Sequence, residues 1–295
     1  GVLLIDKPQG PTSHDVVAAL RTATGERRIG HAGTLDPMAT GLLIVLIGAA
    51  TRLEQYLVGH SKRYEARIVF GSETDTLDAE GEVTETMPVP EAVRSDLEAR
   101  RVLASFLGEQ EQMPPVYSAI KRDGVAAHRV ARAGGEPALE PRAIEVMEAE
   151  LAGIDPEAPA WDVRFAVSKG TYIRSLARDI GRAAGTRAHL GALRRTRVGR
   201  ARVQDALTLE QAATLARERA LGGHFTDPVA LLGMLPIEAD PDAVRNGKPI
   251  PGPQAGLAEG DLVALATQDL LLAVYRYLDD RLVPDAVLSP PVVRA

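Results

Sequence analysis

The sequence predicts an α+β fold that mixes helices and strands, followed by a small β-rich domain at its C-terminal end. Short continuous apolar runs at residues 2–5 and 42–47 are typical of buried strands. Apolar residues at helical spacing over residues 173–184 indicate a packed helix. After residue 235 the chain changes to Pro and Gly punctuation with short strand-like runs, which predicts the β-rich domain. The length of 295 residues allows one large domain, or a large one and a small one.

The first predicted elements surround a polar loop. Residues 2–5 are predicted to form a buried strand, and Ser13 is predicted to cap a helix that ends near Gly25. Residues 29–40 are rich in Gly, His, Asp and Pro and precede the apolar strand at 42–47. We therefore expect a loop over residues 29–40 whose polar side chains are held in place by core elements.

Later parts of the chain alternate between strands and helices. A helix is predicted over residues 91–107, and the capping-box pattern of Thr208 and Gln211 predicts a helix running to about residue 220. Alternating apolar and polar residues predict strands at 64–70, 144–147 and 161–167, and short apolar runs predict strands at 262–266 and 270–277.

The composition is that of an ordinary globular chain. It has 34 Lys and Arg against 40 Asp and Glu, a formal net charge of −6, and 45% hydrophobic residues. The longest apolar run is far shorter than the ~18 residues that a membrane-spanning helix needs, so no membrane segment is expected. The absence of cysteine excludes disulfides and thiolate metal sites, and no leader peptide is recognisable. These features favour a cytoplasmic protein.

Basic residues are concentrated in one part of the chain. Residues 164–202 contain eleven Arg or Lys and one acid, a local charge of +10. Within this segment Arg174, Arg178 and Arg182 repeat every four residues, on a different helix face from the apolar residues. A solvated face is the alternative, but a ridge of bidentate donors on an acidic protein favours a contact surface for RNA or DNA.

Two other segments have the opposite charge. Residues 72–110 carry ten acids and three bases, and we expect a solvated outer face away from the substrate. Residues 233–295 carry nine acids and five bases, which is unfavourable for binding phosphates.

Several enzyme classes lack support in the sequence. No Gly-rich loop ending in Gly-Lys-Ser or Gly-Lys-Thr, no dinucleotide fingerprint after the first strand and no nucleophile elbow is present. The six histidines are far apart in the chain, so a metal site is not expected. The remaining candidate is Asp36, in a loop with two glycines before it and Pro37 after it, although Asp before Pro is also a common turn former.

This loop resembles the catalytic motif of the TruB family of tRNA pseudouridine synthases, and five further blocks resemble that family in the same order. The catalytic block is Gly30-His31-Ala32-Gly33-Thr34-Leu35-Asp36-Pro37-Met38-Ala39-Thr40-Gly41. The other blocks are Asp6-Lys7-Pro8-Gln9-Gly10, Lys62-Arg63-Tyr64, Met113-Pro114-Pro115-Val116-Tyr117-Ser118-Ala119-Ile120-Lys121, Gly170-Thr171-Tyr172-Ile173-Arg174-Ser175-Leu176 and Leu193-Arg194-Arg195. The resemblance extends less closely to the end, where residues 233–295 are similar to a small PUA-type RNA-binding domain.

The resemblance implies a pseudouridine-synthase-like, mainly antiparallel mixed sheet flanked by helices. It implies a catalytic domain at residues 1–232, with an RNA-clamping insertion at about 113–142, and a PUA-like domain at 233–295. It also implies the reaction: the uridine at position 55 in the TΨC loop of tRNA is isomerised to pseudouridine, without a cofactor or a metal. The partner is then the TΨC stem-loop of tRNA, and we expect a monomer without an obligate protein partner.

The resemblance also implies roles for individual residues. Asp36 is the catalytic carboxylate, Arg174 is the cation that keeps it ionised, and Tyr64 stacks on the target ring. Because the target base lies inside a folded loop, the enzyme must flip it out. Residues that contact or enclose the RNA, or support the catalytic loop, are then Lys7, His31, Lys121, Arg129, Arg132, Tyr172, Arg178, Arg182 and Leu193.

Three alternatives remain open from the sequence. Asp36 either adds covalently to the sugar or base, or removes a sugar proton. A non-catalytic tRNA-binding or tRNA-folding protein would use the same clamp without turnover. An RNA N-glycosidase would instead release free uracil.

Overall fold

The computed structural model describes residues 1–118, 121–122, 125–126, 130, 135, 137–253 and 256–294, with backbone only at 121, 122, 125 and 126. The helices are α1 (Ser13–Thr24), α2 (Glu54–Leu57), α3 (Asp96–Ala104), α4 (Ile173–Ala183), α5 (Leu209–Arg217), α6 (Pro228–Leu232) and α7 (Pro241–Arg245). The strands are β1 (Val2–Lys7), β2 (Ile29–Ala32), β3 (Thr40–Ile47), β4 (Lys62–Phe70), β5 (Ser72–Thr74), β6 (Val83–Thr86), β7 (Gly108–Gln112), β8 (Lys121–Arg122), β9 (Val125–Ala126), β10 (Arg142–Ile154), β11 (Ala160–Val167), β12 (Ala188–Val198), β13 (Ala201–Arg202), β14 (Leu207–Thr208), β15 (Leu235–Glu238), β16 (Ile250–Pro251), β17 (Leu262–Ala266), β18 (Leu270–Leu278) and β19 (Arg281–Val293).

The chain forms two compact units, and the first comprises residues 1–60 and 197–295. Its N-terminal part is built on β1, which pairs antiparallel with β3 and parallel with β14, while β2 pairs antiparallel with β3. Successive side chains of a strand point to opposite faces, and here both faces are buried. This explains why β1 and β3 are continuous apolar runs rather than alternating ones.

Two hydrophobic clusters cover the two faces of these strands. One face packs against α1 and α5 and contains Leu3, Ile5, Leu43, Val45, Val16, Val17, Leu20, Ala212 and Ala216. The other face shares its cluster with the C-terminal strands and contains Val2, Leu4, Leu42, Ile44, Leu46, Ala264, Leu271, Val274, Leu288 and Val292.

The C-terminal strands of the first unit form a five-stranded sheet in the order β15-β17-β18-β19-β16. The pair β15 and β17 is parallel, and the other pairs are antiparallel. The β-rich texture predicted after residue 235 is therefore confirmed, since β15 begins at Leu235. The predicted domain boundary between residues 232 and 233 stays a prediction.

The second unit comprises residues 61–196 and contains strands in the order β12-β4-β11-β10-β7. Each of the pairs β4-β11, β11-β10 and β10-β7 is antiparallel. Trp161 is fully buried in this unit, donates a hydrogen bond from its indole N–H to the Val93 carbonyl (2.7 Å) and packs edge-on against Phe70. The expected α+β class with a mainly antiparallel mixed sheet is confirmed.

Three local predictions need correction. The cap of α1 is Thr12, whose side chain accepts from the Asp15 N–H in a capping box, whereas the expected cap Ser13 is buried and bonds elsewhere. The helix predicted at 91–107 begins with a short 3₁₀ turn, breaks at Ser95 and continues as α3, because Ser95 caps the second piece. Part of the predicted loop at 29–40 is the strand β2. Backbone pairing with β3 overrides the Gly- and His-rich composition there.

The sequence predicts no membrane-spanning helix, and the helices of the described residues bear on this expectation. None of them combines the length and the apolar character needed to span a bilayer.

Candidate active site

Asp36 lies in the first unit, on the loop between β2 and β3. Ser13, the first residue of α1, donates a hydrogen bond from Oγ to the Leu35 carbonyl (3.1 Å) and accepts one from the Leu35 N–H (2.8 Å). Leu35 and Met38 are buried on either side of the aspartate, which is itself partly exposed. The loop therefore presents the Asp36 carboxylate from a backbone that α1 and the core hold in place.

Lys7 supports the same loop from inside the unit. Its side chain is fully buried, and its ammonium donates hydrogen bonds to the carbonyls of Pro8 (2.9 Å), Pro11 (2.7 Å) and Pro37 (3.3 Å). A buried ammonium must be hydrogen-bonded or paired, so these contacts connect the residue after Asp36 to the end of β1. Lys7 has no exposed surface for RNA in this position, which fits a supporting role.

His31 lies in β2, opposite Val45 of β3, and is partly exposed. It was expected on a loop, whereas the structure places it in a strand with a fixed backbone. The role of His31 in contacting RNA stays a prediction.

Tyr64 lies in the second unit on β4, opposite Phe165 of β11. Residues along β4 alternate between buried and exposed, so Lys62 and Tyr64 face the same buried side while Arg63 faces solvent. Tyr64 is 8% exposed, and only a small part of it is accessible to a substrate.

Lys62 is an unusual residue for such a position. Burial, followed by the positive charges of Arg195 and Lys169, lowers the pKa of Lys62 from 10.5 to about 8. Arg195 is itself buried, whereas Lys169 is exposed. The buried side of β4 that holds Tyr64 is therefore electropositive at its first residue.

Arg174 lies in the first turn of α4 and is 5% exposed. Its guanidinium donates hydrogen bonds to the backbone carbonyls of Thr76 (2.8 Å) and Tyr117 (3.0 Å). The carboxylate of Asp78 lies 3.7 Å from the same group. These contacts hold the guanidinium in one orientation inside the second unit.

Asp78 is the residue that sequence reasoning missed. It is buried, and its Oδ1 accepts hydrogen bonds from the Thr76 hydroxyl (2.6 Å) and the Glu80 N–H (3.1 Å). The expected solvated face over residues 72–110 is wrong at this point, because a charged side chain there is buried against Arg174. The only sequence signal was the alternation of Asp and Thr, which form local side-chain to backbone hydrogen bonds in turns.

The other two arginines of the predicted ridge occupy different environments. Arg178 pairs with the adjacent Asp179 (2.8 Å) and donates to the Met113 carbonyl (3.2 Å), and its side chain is 11% exposed. Arg182 is half exposed and pairs with Glu73 (2.8 Å). Arg174 is therefore buried, whereas Arg182 is the most accessible of the three, and the predicted RNA contact by this ridge stays a prediction.

Tyr172 and Leu193 also lie in the second unit. Tyr172 is the N-cap residue of α4, and its backbone is hydrogen-bonded to the side chain of Gln112 at both N–H (2.9 Å) and carbonyl (3.1 Å). Leu193 lies on β12 and is 9% exposed, a position that suits either a pocket wall or a core residue.

The expected site residues thus divide between the two units. Lys7, His31 and Asp36 belong to the first, whereas Tyr64, Tyr172, Arg174, Arg178, Arg182 and Leu193 belong to the second. Arg129 and Arg132 lie outside the described residues, as does the side chain of Lys121. The roles assigned to all of these residues remain predictions, including the ion pair between Asp36 and Arg174.

A metal site requires several ligating side chains close together in the fold. Within this part of the chain, no group of three or more His, Cys, Asp or Glu side chains is arranged to hold a metal ion. The polar groups described above instead comprise one carboxylate on an anchored loop, a buried arginine-carboxylate pair and a mostly buried tyrosine.

Comparison with known proteins connects this geometry to a family. Residues 21–173 match the family model described as "TruB family pseudouridylate synthase (N terminal domain)". Residues 174–225 match the model described as "tRNA pseudouridylate synthase B C-terminal domain".

Curated relatives and solved structures agree with these matches. The chain is 52% identical over 210 residues to a protein of Opitutus terrae named "tRNA pseudouridine synthase B", covering 71% of this chain and 86% of that one. It is 40% identical over 308 residues to the Deinococcus radiodurans protein of the same name, covering 91% and 96%. The structure titled "Structure of H/ACA RNP bound to a substrate RNA containing 2'-deoxyuridine" contains a chain with a TM-score of 0.71 and 25% identity, covering 98% of this chain and 84% of that one. The chain belongs to the TruB family of pseudouridylate synthases.

Proposed function

We propose that this chain isomerises the uridine at position 55 in the TΨC loop of tRNA to pseudouridine. The observation that carries the proposal is the similarity to a curated tRNA pseudouridine synthase B over 91% of this chain and 96% of that one, together with Asp36 on a loop anchored by Lys7 and Ser13. The reaction breaks the bond from uracil N1 to C1′ of the ribose, rotates the base and joins C5 to C1′. Only a proton changes place, from C5 to N1, so no oxidant, cofactor or metal is required.

Asp36 is the catalytic carboxylate in this proposal. It acts in its ionised form, either as the nucleophile or as the base that removes a sugar proton. Arg174 provides the positive charge that favours ionisation, since a guanidinium within contact distance lowers an aspartate pKa by roughly 1–3 units. The orientation of the Arg174 guanidinium is fixed by the carbonyls of Thr76 and Tyr117 and by Asp78, which supports this assignment.

The target base is flipped out of the tRNA loop at a cost of a few kcal/mol. Tyr64 stacks on the extruded ring, Leu193 lines the pocket, and Tyr172, at the start of α4, contacts the substrate. His31 fills the vacated stack, because its imidazole has both a π-face and hydrogen-bonding groups. The binding energy comes from phosphate contacts of Arg178 and Arg182 and of Lys121, Arg129 and Arg132 in the insertion.

The remaining parts of the proposal concern the protein as a whole. Residues 1–232 act as the catalytic domain and residues 233–295 as a PUA-like domain whose charge of −4 disfavours extensive phosphate contacts. The protein acts as a cytoplasmic monomer on the TΨC stem-loop. The relatives at 40% and 52% identity are named "tRNA pseudouridine synthase B", which supports tRNA as the substrate.

The test is to incubate the purified chain with an unmodified tRNA transcript, without additives, and to map any new pseudouridine. We expect one product of unchanged mass at the TΨC uridine, and no liberated uracil. Asp36→Asn should abolish product formation while tRNA still binds, because the amide keeps the shape of the side chain but cannot act as nucleophile or base. Wild-type protein that binds tRNA without forming product would establish the non-catalytic alternative, and free uracil would establish the glycosidase.

A further inference from the structure

Gln112 lies at the base of the RNA-clamping insertion. It is the last residue of β7, and it pairs across the sheet with Arg142, the first residue of β10. The insertion at about 113–142 therefore leaves the sheet and returns to it at this single pair. Gln112 is 3% exposed, so its carboxamide is buried at the point where the insertion meets the second unit.

The carboxamide of Gln112 is hydrogen-bonded to the backbone of one residue, Tyr172. Its Oε1 accepts a hydrogen bond from the Tyr172 N–H (2.9 Å), and its Nε2 donates one to the Tyr172 carbonyl (3.1 Å). A carboxamide carries one acceptor and one donor side by side, so it matches both groups of Tyr172, as a neighbouring strand would. Tyr172 is the N-cap residue of α4, and Arg174 follows two residues later.

The residues after Gln112 extend the same connection. The Ser175 hydroxyl and the Arg178 guanidinium both donate to the Met113 carbonyl, at 2.9 and 3.2 Å. Arg174 donates to the Tyr117 carbonyl at 3.0 Å. Side chains from the first two turns of α4 thus bind the carbonyls of Met113 and Tyr117, the first and fifth residues of the insertion. Gln112 makes the reciprocal contact from the insertion side.

We propose that Gln112 is a positioning residue. It couples the conformation at the base of the insertion to the position of the first turn of α4, and thereby to the position of the Arg174 guanidinium. RNA held by the insertion thereby influences the arrangement of the catalytic centre through Gln112 rather than through direct contact. This inference rests on the proposed function, in which Arg174 acts on Asp36. It predicts that loss of the carboxamide impairs the chemical step more than the binding of tRNA.

The test compares Gln112→Met and Gln112→Glu with the wild-type protein. Methionine keeps the approximate volume and removes both hydrogen bonds, whereas glutamate keeps an acceptor for the Tyr172 N–H and loses the donor. Gln110→Met is the matched control: Gln110 lies on the same strand and also donates to a backbone carbonyl, but to that of the nearby Phe106 (2.6 Å). Single-turnover rate constants, tRNA dissociation constants and melting temperatures are measured for each protein, with rates taken well below every melting temperature.

We expect Gln112→Met to reduce the single-turnover rate constant by about 10- to 100-fold, the cost of a misplaced catalytic group, with a dissociation constant within about threefold of wild type. Gln112→Glu should be intermediate in rate, whatever its melting temperature, because the rate follows the number of bonds kept to Tyr172. Gln110→Met should react like the wild type.

Two results would overturn the inference: a wild-type rate in Gln112→Met, or losses in rate and in affinity of equal size. If Gln112→Met does not fold, Ser175→Ala replaces it, since it removes a neighbouring bond to the base of the insertion and should show the same excess of rate loss over affinity loss. A wild-type protein that forms no pseudouridine would instead refute the proposed function, so the two failures are distinguishable.

Discussion

The buried pair of Arg174 and Asp78 shows how strongly single side chains constrain this protein. Each of these side chains is less than one-tenth exposed, and both are charged. Burying two charges costs several kcal/mol per ion, which their mutual attraction offsets only when further hydrogen bonds are present. Here Arg174 also donates to two backbone carbonyls, and Asp78 also accepts from a hydroxyl and an N–H. Such an arrangement fixes the guanidinium in one place.

This arrangement predicts the effect of neutralising Asp78. Asp78→Asn should lower the free energy of unfolding by about 3 kcal/mol, because it leaves the buried charge of Arg174 without this carboxylate. Pseudouridine formation should fall with it, since the guanidinium is no longer held in its orientation. Asp179→Asn is the control: Asp179 pairs with Arg178 on the same helix and is 31% exposed, and its substitution should cost less than about 1 kcal/mol. Urea unfolding and product formation measure both effects, and equal costs for the two variants would contradict the prediction.

Lys62 gives a second prediction at the residue scale, through its titration. Its pKa is about 8 in the folded chain and 10.5 ordinarily, so between these values the unfolded chain binds more protons. The free energy of unfolding therefore rises with pH across this window, and below about pH 8 the full cost of burying the charge remains. The total rise from this residue is up to roughly 3 kcal/mol.

The measurement is urea unfolding of the wild type and Lys62→Met at several pH values from 7 to 10.5. The difference in unfolding free energy between the two proteins should change steadily above pH 8 in favour of the wild type, because other titrating groups are common to both. A constant difference over the whole range would show that Lys62 keeps its ordinary pKa.

At the residue scale the sequence identified those candidates that lie inside local motifs. Asp36, Tyr64 and Arg174 each belong to a short block that resembles the family. Asp78 and Gln112 could not be found in this way, because their importance depends on contacts with residues distant in the chain. A pattern of charge or alternation shows whether a residue is polar, but not what it meets in the fold.

At the scale of elements, α1 serves the catalytic loop as well as the core. Its cap Thr12 satisfies the first turn of the helix, while the next residue, Ser13, turns inward and bonds both backbone groups of Leu35. Two adjacent small hydroxyl residues therefore have separate tasks, one within the helix and one on the loop of Asp36.

These separate tasks predict separate consequences of substitution. Thr12→Ala should lower the free energy of unfolding by about 1 kcal/mol through loss of the cap, with little change in turnover. Ser13→Ala should lower turnover by a larger factor for a similar loss of stability, because the Leu35 backbone loses its partner beside Asp36. Thermal unfolding and single-turnover kinetics on the same preparations separate the two effects. Turnover losses that are the same in both variants would show that the loop does not depend on Ser13.

Elements themselves were predictable where the pattern was long and regular. The 3.6-residue period predicted α4 to within a residue at each end, and the alternation predicted β4 and β11 closely. The helix predicted at 91–107 was interrupted because Ser95 favours a cap over a helix interior, which leaves Leu97 81% exposed. Short elements such as β2 depend on pairing with another strand, and local composition does not encode that pairing.

At the scale of the whole molecule, the C-terminal strands matter for the stability of the N-terminal ones. Residues 233–295 were predicted as a separate domain from composition, yet Ala264, Leu271 and Val292 belong to the same hydrophobic cluster as Val2 and Leu42. Tyr56 also donates a hydrogen bond to Asp285. A separate domain in sequence is therefore not necessarily a separate cooperative unit in folding.

Deleting residues 233–295 tests this point. The truncated protein should expose apolar side chains of β1 and β3 that are fully buried in the intact chain. Each Å² of apolar surface that becomes exposed should lower the free energy of unfolding by about 25 cal/mol. We expect a melting temperature lower by about 10 °C or more, together with binding of a hydrophobic dye at temperatures where the intact protein binds none. Tyr56→Phe provides the control, because it removes only the bond to Asp285 at an exposed contact and should change the melting temperature by a few degrees at most. A truncated chain that melts at the temperature of the intact protein would show that the first 232 residues form a self-sufficient core, and that the shared cluster contributes nothing measurable to stability.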